Sequence, residues 1–586
     1  MEKAPFQPLR HFLDRWPINR HVSLSLIAII IGILGAYGAI LFRLTIKYAQ
    51  YLFYRNTADF LTFSGQVPVL LKIGLPAAGG LFVGLLVYFG APEAKGPGVP
   101  EIMEAVALKE GRIRPRVALV KILASSISIG SGASLGREGP IVQIGSSIGS
   151  TLSQLLKMSA HRQRTLVGCG AAAGIAATFN APIAGTLFAA EVILGDFGMA
   201  TFSPLVLSSV TATAISRHYL GDFPAFLLPS YALISGWELL LYPLLGVAAG
   251  AVGLLFMVVL GQSGKFFDAL RIPEYLKPAV GGLLLGLILL QWPHVFGVGY
   301  GTINLALQNR LAPVVFLTLI FIKTFATSIS LGSGKSGGIF APSLFIGAMT
   351  GGFLGWVFHG LFPGVTAGPG AYALVSMGAL VACTTHAPIT AIIIIFELTG
   401  TYEVILPLMI SCIISTLITS TVKKDSIYTM KLTRRGVRIP RSWEQRILYT
   451  IKVRDVMSEK IVRVREKAPL SNVISMLKTE DVSCVFVVDE GEKLVGVITF
   501  RNIRPFLMGE RMLRKRTAGD VASREMVGIL PSGTIQEALH LMGHENISQL
   551  PVLDEDGTGK VVGIITEKDA VSAYDERVRS FESEQV

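Results

Sequence analysis

Gly130-Ser-Gly-Ala-Ser-Leu-Gly-Arg-Glu-Gly-Pro140 is the stretch on which the reading of this chain turns. It sets Glu138 between glycines, ahead of Pro140 and the apolar run Ile141-Val-Gln-Ile-Gly145. Proline can open a helix because its missing N–H is one that a first turn leaves unpaired. Glu138 is therefore expected at a helix N-terminus, among backbone donors that would equally suit a small anion. The surrounding sequence is too hydrophobic for a soluble domain, and an ionisable residue at membrane depth is a candidate functional group.

Outward from that stretch, composition sets the class. Hydrophobic residues make up 51% of the 586 and charged residues 16%, with 62 glycines. This is a polytopic α-helical membrane protein with a polar appendage. Uncharged runs at Val22–Phe42, Leu239–Ser263 and Val404–Val422 are each long enough to span a bilayer. The first 21 residues are polar and mixed in charge, so the first span reads as a retained anchor and not a cleaved leader.

The net charge of +12 is concentrated, not spread as a nucleic-acid face. Ten Lys/Arg lie between Lys423 and Arg454, against Asp425 and Glu444. Basic residues beside the last span mark the cytoplasmic side, as do Lys3, Arg10, Arg15 and Arg20 at the other end. No nucleic-acid partner is expected. Cys169, Cys383, Cys412 and Cys484 are scattered without a C-x-x-C, so they read as packing residues and no metal site is expected.

Gly/Pro clusters interrupt the hydrophobic runs at 95–101, 130–140, 180–185 and 332–342. Irregular backbone at that depth is tolerated only inside protein or beside a watery cavity, and broken helices are what transporter sites are built from. The clusters repeat. Gly130-Ser-Gly-Ala-Ser-Leu-Gly and Gly332-Ser-Gly-Lys-Ser-Gly-Gly lie 202 residues apart. Asn180-Ala-Pro-Ile-Ala-Gly and His386-Ala-Pro-Ile-Thr-Ala lie 206 apart, each followed by an acid, Glu191 and Glu397. The simplest account is a duplicated membrane unit with its site between the halves. Gly332-Ser-Gly-Lys-Ser336 is not a nucleotide-binding P-loop, because Ile329 stands where that motif needs glycine.

These residues carry a family resemblance. Gly96-Pro-Gly-Val-Pro100, Gly136-Arg-Glu-Gly-Pro140, Gly338-Ile-Phe-Ala-Pro342 and Tyr428 in Ser426-Ile-Tyr-Thr-Met resemble the four anion-path segments of the CLC chloride channel and proton/anion exchanger family. Gly297-Val-Gly-Tyr300 and both Ala-Pro segments add to the match. The resemblance implies an inverted repeat, a homodimer with one pore per subunit, and residence in the cell inner or plasma membrane. It implies an anion path past Pro97 and Gly98, held by the N–H groups of Ile339 and Phe340 and by the Tyr428 hydroxyl, with Glu138 as the gate. Fixed partial charges suit such a path, because a full cation would hold the ion too tightly to leave.

Two positions depart from the usual pattern. Pro97 stands where chloride-selective members usually carry Ser, as in nitrate-preferring plant exchangers. Val192 stands where proton-coupled exchangers usually carry a second glutamate, and an apolar side chain relays no proton.

The polar tail is one pattern written twice. Val453-Arg-Asp-Val-Met457 leads to Val495-Gly-Val-Ile-Thr499, and Ala518-Gly-Asp-Val521 leads to Val562-Gly-Ile-Ile-Thr566. The tail resembles a pair of cystathionine-β-synthase (CBS) domains, α/β modules that bind adenine nucleotides in other proteins. That implies a cytoplasmic pair with a nucleotide site at Thr566 and Asp569; the first copy has Asn502 in the Asp place.

The expected organisation is a cytoplasmic segment over 1–21, a CLC-type transmembrane unit over 22–435 and a basic linker over 436–452. CBS domains follow over 453–508 and 516–576, with a tail over 577–586. The expected function is passive, glutamate-gated transport of chloride or nitrate, as in a voltage-gated channel, with a proton-coupled antiporter as the alternative. A CBS-bearing magnesium transporter is the reading from another class, disfavoured by a path with Glu138 as its main acid. No nucleophile–base pair suggests an enzyme.

Overall fold

The computed structural model describes residues 20–222, 226, 233–437, 448–449, 451–479, 482, 484–506, 516–524 and 526–585. Most of the N-terminal segment and much of the basic linker lie outside the described residues. The chain divides into two compact units, Met1–Ile439 and Pro440–Val586.

The first unit is helical throughout, and apart from the single turn Phe60–Phe63 its α-helices before Lys423 fall into two matching sets of eight. The first set is α1 (Arg20–Tyr54), α2 (Val69–Phe89), α3 (Val99–Leu108), α4 (Arg116–Gly130), α5 (Glu138–Leu155), α6 (Ala160–Phe179), α7 (Pro182–Phe188) and α8 (Met199–Leu220). The second set is α9 (Tyr242–Ala269), α10 (Lys277–Gln291), α11 (Tyr300–Leu307), α12 (Pro313–Gly332), α13 (Phe340–Leu361), α14 (Pro369–Thr385), α15 (Pro388–Thr399) and α16 (Ile405–Val422). A short α17 (Thr429–Arg434) closes the unit. Among the described residues, seven helical stretches are long and apolar enough to cross a membrane. The apolar run that began at Val22 continues as helix past Phe42, through Arg43 and Lys47 to Tyr54, because the helix packs on protein there and not only on lipid.

Contacts between the halves are reciprocal. A side chain on Gly80 of α2 would strike the Pro278 carbonyl of α10, and one on Gly282 of α10 would strike the Pro76 carbonyl of α2. The α2–α10 seam is therefore self-complementary, the mark of a two-fold relation. Small residues let the backbones approach this closely where no hydrophobic force drives helices together in lipid.

The two Ala-Pro segments show the same exchange. Glu397 on α15 accepts from the N–H groups of Ile183 (2.9 Å) and Ala184 (2.7 Å) at the start of α7. Glu191, just past α7, accepts from the N–H groups of Ile389 (3.3 Å) and Thr390 (2.8 Å) and from the Thr390 hydroxyl (2.6 Å) at the start of α15. Each half caps a helix of the other, satisfying N–H groups that a first turn leaves open.

The second unit holds two copies of a small α/β pattern. In one, β1 (Arg463–Arg465) pairs parallel with β2 (Cys484–Val488), which pairs antiparallel with β3 (Leu494–Thr499). In the other, β4 (Gln549–Leu553) pairs antiparallel with β5 (Val561–Thr566). Helices α18 (Leu470–Thr479) and α19 (Ile535–Glu545) pack on these sheets, and α20 (Glu567–Gln585) follows β5. The copies are interlocked: Ser458 before β1 bridges to Ile564 of β5, and Ser523 ahead of β4 bridges to Val497 of β3.

Candidate functional site

Three interrupted loops are knitted together by backbone hydrogen bonds in the middle of the helical unit. Gly136 and Gly338 each donate to the other's carbonyl, at 2.8 and 2.6 Å. Gly96 donates to the Lys335 carbonyl at 3.2 Å, and Gly337 donates to the Gly96 carbonyl at 3.3 Å. Gly139 stands with its Cα against the Pro97 carbonyl and the Gly338 backbone, where any Cβ would collide. That absence of a side chain is what lets the loops meet.

Helices radiate from this knot with their N-termini inward: α3 opens at Val99 after Gly98, α5 at Glu138, and α13 at Phe340 after Ile339. Among the described residues, no acceptor takes the N–H groups of Ile339 or Phe340. Such open donors, with the positive end of the helix dipole behind them, form an anion cradle without a formal charge. The Phe340 ring packs against Phe179 at 5.7 Å between centroids. Tyr428, ahead of α17, is 2% exposed and lies where its hydroxyl feels the Glu138 charge. Pro97, Gly98, Glu138, Ile339, Phe340 and Tyr428 thus gather in one region, although the first and last stand more than 300 residues apart in sequence.

Glu138 is 1% exposed. Its Oε1 accepts from the Tyr300 hydroxyl at 2.9 Å, and its Oε2 lies near the Ala341 N–H without closing a hydrogen bond. Gly299, with φ of +86°, turns the chain into α11 so that Tyr300 faces Glu138; a Cβ on Gly299 would meet the Phe345 ring. The Arg137 guanidinium lies over the Tyr300 ring, 5.3 Å from its centroid, and braces that ring.

Two buried lysines hold the loops from behind. Lys121 donates to the carbonyls of Ala94 (3.0 Å) and Gly96 (2.7 Å). Lys323, 202 residues on, donates to the carbonyls of Val295 (3.3 Å) and Gly297 (3.1 Å). The sequence reading missed both, although the repeat offset would have found them. Lys335, from the segment that imitated a P-loop, donates to the Pro76 carbonyl at 3.0 Å. On the α17 side, Lys431 reaches the Lys95 carbonyl (3.0 Å) and Glu101 (2.5 Å), so α17 is tied to the loop ahead of α3.

Val192 lies in a π-helical turn, Ala189–Leu194, directly after α7. The matching stretch of the second half, within α15, is regular α-helix. Val192 is 8% exposed and packs in the core.

In the second unit, Thr566 and Asp569 lie at the β5–α20 junction. The Asp569 carboxylate accepts from the Thr566 N–H (3.1 Å) and hydroxyl (2.7 Å), and the hydroxyl accepts from the Asp569 N–H (3.2 Å). Both residues line a cavity of about 190 Å³ with Ser458, Ile461, Val462 and Phe486. That volume is below the roughly 300 Å³ at which small-molecule pockets begin. Burial pushes the Cys484 thiol beside it up to about 12, which keeps it a neutral packing group. In the first copy Asn502 makes the corresponding cap, accepting from the Thr499 N–H (3.0 Å) and hydroxyl (2.6 Å).

Comparison with known proteins identifies the fold. The family described as "Voltage gated chloride channel" matches residues 79–420, and the CBS domain matches residues 453–509 and 518–576. A putative chloride channel protein ClcB-like of Ralstonia nicotianae is 39% identical over 415 residues, covering 70% of this chain and 96% of that protein. Among solved structures, a slow cyanobacterial Cl−/H+ antiporter aligns with a TM-score of 0.63 at 28% identity, covering 71% of this chain and 98% of that one. A eukaryotic CLC transporter shares the fold across 96% of this chain, with a TM-score of 0.61 at 22% identity. The chain therefore belongs to the voltage-gated chloride channel, or CLC, family of anion transporters, and carries a pair of CBS domains behind its duplicated transmembrane unit.

Proposed function

We propose that the protein moves monovalent anions passively through the knot of helix N-termini, with Glu138 as the gate. The observation that carries this reading is a buried carboxylate at the start of α5 beside the open N–H groups of Ile339 and Phe340. A carboxylate is itself an anion of suitable size. Ionised, Glu138 competes for the donors that a permeant ion needs; protonated, it releases them. Pro97 supplies no N–H to the first loop, so the path favours nitrate, which sheds water more readily than chloride.

Passive flow fits Val192, whose side chain carries no proton. The second reading is proton-coupled exchange, favoured by the likeness to a structure described as a Cl−/H+ antiporter. Anion flux from liposomes reconstituted with the whole chain decides between them. Passive transport leaves internal pH unchanged while anions run down their gradient, and exchange drives protons uphill. Membership of the family removes the magnesium alternative.

Two copies would form a homodimer in the cell membrane, each with its own path. An adenine nucleotide would sit with its ribose at Thr566 and Asp569 and its base in the cavity toward Ile461 and Phe486. The domain boundaries read from the sequence, with the second unit on the cytoplasmic side, belong to the same proposal.

A further inference from the structure

We propose that the Tyr300 hydroxyl is the latch on the gate: it holds the ionised Glu138 carboxylate in its place at the start of α5 and so helps set the pH at which the path opens. The inference rests on Glu138 being the gate and adds a residue from the other half of the repeat.

Four observations carry it. The Tyr300 hydroxyl donates to Glu138 Oε1 at 2.9 Å, and among the described residues it is the one side-chain donor to that carboxylate. The Tyr300 ring cannot easily swing away, because Arg137 lies over it at 5.3 Å and Phe226 packs edge-on at 5.2 Å. Its backbone is fixed by the turn at Gly299, where a side chain would meet Phe345. The repeat-related position is Val99, which opens α3 as Tyr300 opens α11, so the hydroxyl is an addition to the duplicated frame and not part of it.

The other charged and titratable groups around Glu138 act differently. Arg137 shares the turn into α5 and is itself occupied with the Tyr300 ring, with Arg43 of α1 beside it. Lys323 of α12 spends its donors on the Val295 and Gly297 carbonyls and lies 4.8 Å from the Phe345 ring centroid. Tyr428 is close enough to feel the charge but makes no hydrogen bond to Glu138. These groups tune the field at Glu138, whereas Tyr300 makes a bond that is about twice as strong to a carboxylate as to a neutral acid. That difference favours the ionised, plugging form. Loss of the bond eases protonation and opening.

The test is anion efflux from liposomes holding the full chain, measured across external pH, each variant scaled to its own maximum. In Tyr300→Phe, which keeps the ring for Arg137 and Phe226, the midpoint is expected to move up by about one pH unit. In Glu138→Gln the profile is expected to be flat, and adding Tyr300→Phe to it should change nothing. A Tyr300→Phe midpoint that stays put or moves down, with Glu138→Gln flat, overturns the latch and leaves the gate. A Glu138→Gln profile that keeps its pH dependence overturns the gate, and the latch with it. An effect of Tyr300→Phe in the Glu138→Gln background assigns Tyr300 a role apart from Glu138 and also overturns the latch.

Discussion

The two halves of the membrane unit are alike in what holds them together and unlike at the point where an ion would pass. Lys121 and Lys323 pin matching loops, Glu191 and Glu397 cap matching helices, and Gly80 and Gly282 seat matching crossings. Yet the residue that opens α5 is Glu138, and the residue that opens α13, at the same repeat position, is Phe340. Likewise α3 opens on Val99 and α11 on Tyr300. Duplication supplied a frame with two inward-facing helix ends. Chemistry entered where the copies diverged: one end received an acid, its partner stayed a bare donor site, and a tyrosine from the second half came to hold the acid of the first.

This contrast is open to direct attack, beginning with the frame. Glu191→Leu and Glu397→Leu each strip the acceptor from two first-turn N–H groups, one exposed and one partly buried, and each should cost about 2 kcal/mol of stability. Thermal unfolding of the purified protein checks this. Similar losses support a symmetric scaffold, whereas a large loss for one and none for the other would break the comparison.

The asymmetric pair gives the next effect. Glu138→Gln mimics the neutral carboxyl of the proposed gate, so a flux that rises about tenfold from neutral to acid pH in the wild type should vary less than twofold in the variant. The sign follows from charge: falling pH neutralises the plug and raises flux. Phe340→Leu, at the partner position, should keep the wild-type pH dependence.

Pro97→Ser sharpens the comparison within the first loop. It restores a backbone donor and adds a hydroxyl, and a net gain of one donor to the ion is worth about 0.5–1.5 kcal/mol. Bi-ionic reversal potentials should show nitrate at least as permeant as chloride in the wild type. The variant should shift toward chloride by roughly 2- to 13-fold. The smallest effect is in the second unit, where the two copies differ as Asp569 and Asn502. Calorimetry on the full chain with AMP, ADP and ATP should show one site. Its affinity should fall about fivefold in Asp569→Ala and stay unchanged in Asn502→Ala.

Much of this was legible in the chain. Glycine and proline at 95–101, 130–140 and 332–342 announce broken helices, because no regular helix carries them at that density. The 202-residue offset announces the duplication. What stayed hidden is what depends on distant partners. Tyr300 and Glu138 are 162 residues apart, and nothing near either predicts the other. The exchange of caps between Glu191 and Glu397 needs both halves in place before it means anything. The π-turn at Ala189–Leu194 leaves no compositional mark, since it adds one residue to a turn without changing residue types. Lys121 and Lys323 were hidden for a simpler reason: a lysine in an apolar run reads as a boundary of the run, and only burial reveals it as a brace.

The exchanged caps also bear on how the protein is made. The amides of Ile183 and Ala184 wait for a carboxylate that lies about 214 residues downstream. At typical rates of synthesis that is roughly 10 to 40 s. During that interval the first half is a nascent chain with an open helix end and no native partner for it. Each half completes its caps only when the other is present, so this part of the repeat matures as a pair. A pause or truncation in the second half would leave the first half to quality control, even though every residue of Glu138's own loop had already been made.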